Sequence, residues 1–302
     1  MNNQNHTKMR QSWDDKLFSV VSSVLLVGFV IIVAYPVYFV IVASVSDPVY
    51  VNNGALLLYP KGFTLLGYER VVANKDIWIG YANTILYTVC GSALGTIVVL
   101  MAGYSFSRTD LPGRGLIMKL FIFTMYFSGG TIPFFLAVKG MGLVNTRLAM
   151  ILLGSVSVYN IIVVRSFMQS NIPDELLDAA TIDGCGNGRF FWQIVLPLSK
   201  AVTAVIVLYI AVSQWNSYFN AMILLTDRDK YPLQLFLRQI LLEASTANSD
   251  TSVDAAAAAQ LQTMGEVIKY GVIVISTAPI ICVYPFIQKY FVKGVMIGSV
   301  KG

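Results

Sequence analysis

Side chains able to do chemistry are sparse in this 302-residue sequence, and their spacing favours recognition over bond-making. His6 is the single histidine and lies in a polar tail, while Cys90, Cys185 and Cys282 stand far apart without metal or redox spacing. There is no G-x-x-x-x-G-K-[ST] phosphate loop to cradle ATP. Neither HExxH nor G-x-S-x-G occurs, so the chain reads as a non-enzyme that holds no metal and no cofactor of its own. Two groups of polar residues remain. One is the stretch Asn171 to Pro197, with Asp174, Glu175, Asp178 and Asp183 set between strongly apolar runs. The other is a scatter inside those runs: Tyr126, Asn160, Trp215, Asn216, Tyr218 and Asn220. Amides hydrogen-bond hydroxyls and aromatic faces stack on the apolar faces of other rings. In a membrane such amides must face protein or a cavity, because an unpaired one costs several kcal/mol. Plain interhelical packing accounts for each of them as well, and is the simpler reading.

The elements that position these residues are membrane spans. The chain is 56% hydrophobic and 12% charged, about half the charge of a soluble domain. Six apolar segments (17–45, 80–106, 116–138, 148–168, 198–225 and 269–288) reach the ~20 residues that cross a bilayer. The expectation is an all-α integral membrane protein with six transmembrane helices. Its parts are an N-terminal tail over 1–16 and a six-span transmembrane domain over 17–302, with an outer loop at 226–268 and a C-terminal tail at 289–302. The first run is too long for a signal-peptide core, so it reads as an uncleaved span. With both termini inside, the inner segments carry the whole net charge of +5 and the outer ones balance, as the positive-inside rule asks.

Within the spans, Gly91 and Gly95 have the small-xxx-small spacing that lets helices approach closely. Ser128-Gly129-Gly130 and Pro133 predict a kink or break in the third span. In the last outer loop Leu233, Phe236, Leu237, Ile240 and Leu241 share a helical face, which suits either an external partner or a lid on the chain's own spans. No carboxylate, histidine or basic residue stands near the centre of a span, and Lys119 lies at an inner end. Carriers driven by ion gradients keep such a group at mid-membrane, so uphill transport here would draw its energy from another subunit.

That directs attention to 171–197, which falls on the inner side. Pro173 suits a first helical turn, and Asp174 and Glu175 complement the helix dipole. Leu176, Leu177 and Ala180 share a face. Gly184 is placed to end the helix in a left-handed turn, Gly186 and Gly188 loosen the reversal, and Arg189 to Val195 form a second helix stopped by Leu196-Pro197.

Asp178-Ala179-Ala180, three residues, Gly184, nine residues, then Ile194-Val195-Leu196-Pro197 resembles the EAA loop, E-A-A-x3-G-x9-I-x-L-P, of permease subunits of binding-protein-dependent ABC importers. Asp178 in place of Glu is the one departure. Tyr126 to Pro133, Gly142 to Thr146, Trp215 to Tyr218 and Tyr284 to Phe291 are similar to carbohydrate-type permeases of the LplC/YtcP branch, so the resemblance spans nearly the whole chain. It implies a type I importer permease fold in a bacterial cytoplasmic membrane. It also implies a second homologous permease, an ATPase dimer holding ATP and Mg, an extracellular solute-binding lipoprotein and an oligosaccharide substrate, with no nucleic acid. Glu175, Asp178, Ala179, Ala180, Gly184, Ile194, Leu196 and Pro197 would then couple to the ATPase, and Lys301 and Gly302 would belong to a tail reaching it. An ion-coupled carrier and a non-conducting docking subunit are the other readings.

Overall fold

The structure, a computed structural model, describes residues 12–52, 58–246, 268–282 and 285. Lys301 and Gly302, His6 and the loop tip at 247–267 lie outside the described residues. All regular elements among those described are helical. In order they are α1 (Trp13–Ser44), α2 (Pro48–Asn52), α3 (Leu66–Ala73), α4 (Lys75–Ser107), α5 (Arg114–Tyr126), α6 (Thr131–Gly140) and α7 (Arg147–Leu152). Then follow α8 (Val158–Asn171), α9 (Asp174–Ile182), α10 (Asn187–Leu198), α11 (Lys200–Trp215), α12 (Phe219–Leu224), α13 (Leu233–Thr246) and α14 (Ile268–Cys282).

The organising element is α4. Its start is fixed by Asn74, whose side chain accepts from the Asp76 N–H at 2.9 Å. It runs 33 residues, about 50 Å at 1.5 Å per residue. Its buried face is built largely from small groups, among them Gly80, Thr84, Gly91, Ser92, Gly95, Thr96 and Gly103. The small-xxx-small expectation holds. A Cβ on Gly95 would overlap the Ser155 carbonyl oxygen, and one on Gly91 would meet the Gln214 amide. α8 and α11 pack against α4 along this face.

Two helices, α1 and α4, are each long and apolar enough to cross a membrane, and the bent pairs α5–α6 and α10–α11 could each supply one more. The other expected spans differ from straight rods. α5 and α6 meet at 119°, with Gly130 at φ +88° in the joint, so 116–138 is two helices and not one kinked one. At 13 residues α5 is about 20 Å long, short of a ~30 Å hydrocarbon core. The fourth segment breaks between α7 and α8, where Gly154 takes φ +88°. The fifth breaks at 216–218.

The amphipathic α13 settles its own alternative. Leu233, Leu235, Phe236 and Leu237 are buried, and a Cβ on Gly80 would fall 2.9 Å from the Leu233 Cα. The helix therefore covers its own domain. A polar latch holds it on the N-terminal half of α4. Asn83 Nδ2 donates to the carbonyls of Asp229 and Tyr231 at 2.8 and 3.0 Å, and the Tyr87 hydroxyl donates to that of Lys230 at 2.8 Å. Thr84 Oγ1 accepts from Leu233 N–H at 2.8 Å, and Asp76 pairs with Arg228 at 2.7 Å. Asn145, at φ +59°, accepts from the N–H groups of Thr226 and Asp227 at 3.1 Å each.

Candidate functional site

The stretch 171–197 hangs from the opposite end of α4. α9 begins after Pro173 and ends in a Schellman turn: Cys185 N–H donates to Ala180 O at 2.8 Å and Gly184 N–H to Thr181 O at 3.0 Å, with Gly184 at φ +71°. The expected role of Gly184 is thus met. Gly186 and Gly188 differ from expectation: Gly186 has ordinary extended backbone angles and Gly188 lies inside α10, so the reversal needs neither. Nor does Pro197 stop the second helix. α10 continues through Leu198, because its ladder widens into a π turn at Phe191–Val195 just ahead of the proline that cannot donate. The chain turns at Ser199, 84° into α11.

The two faces of α9 separate the motif. Leu177 and Ala180 pack with Phe106, Met168, Phe190, Phe191 and Val195 into the largest core cluster, joined by partly buried Ile194 and Leu196. Leu176 does not join them and is exposed, because it is rotated about 100° from Leu177. Glu175, Asp178, Ala179, Gly184 and Pro197 face outward. So does Ile182, 87% exposed, which sequence reasoning passed over although it lies off the Leu177–Ala180 stripe. A cavity of about 220 Å³ separates the start of α9 from the end of α4, lined by Tyr104, Arg108, Gln169, Pro173 and Leu177 among others. At its rim Arg108 grips Asp110 at 2.8 Å, and that hydrogen bond holds the Asp110 carboxyl below its ordinary range.

The scattered polar residues do not converge on one place. Trp215 is 8% exposed, donates its indole N–H to Ser276 O at 3.1 Å, and meets Tyr81 edge-on at 6.3 Å, so it fastens α11 to α14. Asn160 is buried on α8, and Tyr126 is 80% exposed at the end of α5. Asn216 donates to Val212 O at 2.8 Å and so caps α11. Tyr218 and Asn220 lie in and just after the break that opens α12, with Tyr218 beneath Arg238. Two residues here were missed. Gln214 is buried and donates to Ser155 Oγ at 3.1 Å and Ile151 O at 3.3 Å, tying α11 to the α7–α8 break. Its amide within an apolar run was the available signal. Arg238 had none, since its neighbours are set by folding.

The fold is thus a helical domain with broken apolar spans and an exposed acidic and apolar helix at one end. The chain belongs to the family of binding-protein-dependent transport system inner membrane components, whose model matches residues 99–297. It is 38% identical over 299 residues to Protein LplC of Bacillus subtilis (strain 168), covering 98% of this chain and 99% of that one. It is also 38% identical over 288 residues to the polygalacturonan/rhamnogalacturonan transport system permease protein YtcP of the same organism, covering 95% and 99%. Among solved structures it matches a bacterial ABC transporter involved in import of the acidic polysaccharide alginate, with TM-score 0.80 and 35% identity over 94% of this chain and 100% of that one. The fold is therefore the all-helical type I permease fold.

Proposed function

We propose that this chain is one permease subunit of an ATP-driven importer of acidic oligosaccharides. YtcP serves polygalacturonan and rhamnogalacturonan and the solved transporter imports alginate, and galacturonan and alginate are chains of uronate sugars. The partners are a second permease, a dimer of ATPase subunits carrying ATP and Mg, and a solute-binding protein outside the membrane. Both termini and α9 face the cytoplasm.

The observation that carries the coupling reading is the geometry of α9. One face is exposed and acidic with an apolar tip at Ile182, which suits a cleft on an ATPase. The other is bolted to the core through Leu177 and Ala180. A push on α9 therefore reaches the cluster that also holds Phe190, Phe191 and Val195 of α10, and α10 joins α11 at the Ser199 bend. α11 ends at the break 216–218, so closure of the ATPase dimer reaches the span break as rigid-body motion.

The test is ATP hydrolysis by the complete complex in proteoliposomes. Oligogalacturonate with its binding protein should raise hydrolysis and drive uptake without an ion gradient. Uptake driven by an ion gradient in the absence of ATP would establish a secondary carrier instead. Correct assembly with no stimulated hydrolysis would leave only a docking subunit.

A further inference from the structure

Arg238 stands apart from its neighbours. Its guanidinium carbon lies 4.9 Å from the Tyr218 ring centre, and Nη1 donates to the Met222 sulfur at 3.1 Å. Among the described residues the ion pairs are Arg108–Asp110, Arg228–Asp76 and Lys230–Asp227, and Arg238 meets no carboxylate. A guanidinium carries five N–H donors, and a thioether is a weak acceptor for one of them. Most of its donor capacity is therefore unspent on protein. The side chain is also held. Leu233, Leu235, Phe236 and Leu237 bury α13 directly after the latch to α4, and the Tyr218 ring supports the guanidinium face. The surroundings stay accessible, with Tyr218, Phe219 and Met222 all exposed.

The place matters as much as the chemistry. α13 rests on Gly80 and Thr84 near the start of α4, whereas α9 and α10 join the cluster that holds Phe106 near its end. Arg238 thus lies at the end of the domain away from the coupling helix. It also overlies the break of the fifth span at 216–218. A planar cation with free donors, fixed beside exposed aromatic rings, matches a carboxylate borne on a sugar ring: the guanidinium takes the two oxygens side by side while the rings take the apolar face.

We propose that Arg238 is a specificity-determining residue that receives the carboxylate of a uronate unit as the oligosaccharide enters from the side opposite α9. The inference rests on the acidic-substrate reading above.

The experiment measures uptake of a galacturonate trimer and of its methyl ester by the full importer in proteoliposomes, as wild type, Arg238→Gln and Arg238→Lys. Arg238→Gln should raise the half-saturating trimer concentration about ten-fold or more, the size expected for losing a hydrogen bond to a charged group, and leave that of the ester in place. Arg238→Lys keeps the charge but loses the planar fork, and should fall between. It also preserves the comparison if the Gln variant fails to assemble. Equal effects on trimer and ester, or none on either, would overturn the role of Arg238 while wild-type trimer uptake leaves the acidic reading intact. A wild type that imports neutral oligosaccharides and refuses the trimer would overturn both.

Discussion

Ala179 and Ala180 are adjacent in sequence but about 100° apart around α9, and they differ in burial. Ala180 is packed into the core and Ala179 looks outward, so only one of the two small residues lies where a partner could approach it. The smallness of Ala180 instead fits it into the core cluster behind α9. Gly184 has a conformational reason: at φ +71° a β-branched side chain costs about 1–2 kcal/mol. Gly184→Val should misdirect the end of α9 and lower uptake per ATP hydrolysed, with membrane insertion retained. Wild-type coupling in that variant would remove the role. Gly188→Ala is the control, since an added Cβ there meets nothing within 4 Å. It should leave stability unchanged or raise it by about 0.4–1 kcal/mol. Asp227 supplies a pH test. Its carboxyl is held below the ordinary value, first by the Lys230 hydrogen bond and then by Asn145. A depressed folded value means that its stabilisation is present above the ordinary carboxylate pKa and lost as pH falls through the lowered one. The protection of the Thr226 and Asp227 amides, taken relative to their intrinsic exchange rates, should therefore fall as pH drops below the ordinary carboxylate pKa of about 3.9. In Asp227→Asn that acid step should vanish.

At the scale of elements, breaks and small residues do the positioning. α4 is unbroken and lined with glycine and hydroxyls because α8 and α11 must come close, and the Ser155 carbonyl fills the space a Gly95 side chain would take. Gly95→Leu should lower the thermal stability of the purified subunit by about 1–3 kcal/mol or more, the usual range for overpacking. An unchanged melting temperature would show that α8 can retreat freely. The breaks have different causes. Gly130 and Gly154 adopt left-handed backbone that a side chain resists, whereas the π turn before Pro197 absorbs a missing donor without ending the helix.

For the whole molecule, the decisive relation is that the latch of α13 and the stretch 171–197 hold opposite ends of α4. Under the proposed coupling role, assembly on the side of α9 depends on outward groups that the fold itself does not need. Ile182→Glu, at a position 87% exposed, should change the stability of the isolated subunit by no more than about 0.5 kcal/mol. It should nevertheless reduce co-purification with the ATPase subunits. Loss of folding, or full retention of the ATPase, would count against an apolar tip seated in a partner.

Composition and local spacing were enough to decide that the chain is helical and apolar, that a polar stretch at 171–197 interrupts it, and that Gly184 ends a helix. These depend on hydropathy and backbone preference within a few residues. The Gly91–Gly95 packing face was legible for the same reason, since helical periodicity alone puts the two on one side. The rest was decided by tertiary structure. Whether α13 met a partner or its own domain turned on Gly80 and on carbonyls presented by the loop at 228–231, nearly 150 residues away in sequence. The sharing of Ala179 and Ala180 between two faces depended on the core cluster behind α9. Arg238 became conspicuous through the company it keeps: Tyr218 and Met222 beside it, and no carboxylate paired with it among the described residues. A sequence orders its neighbours by number, while electrostatics and packing act through space.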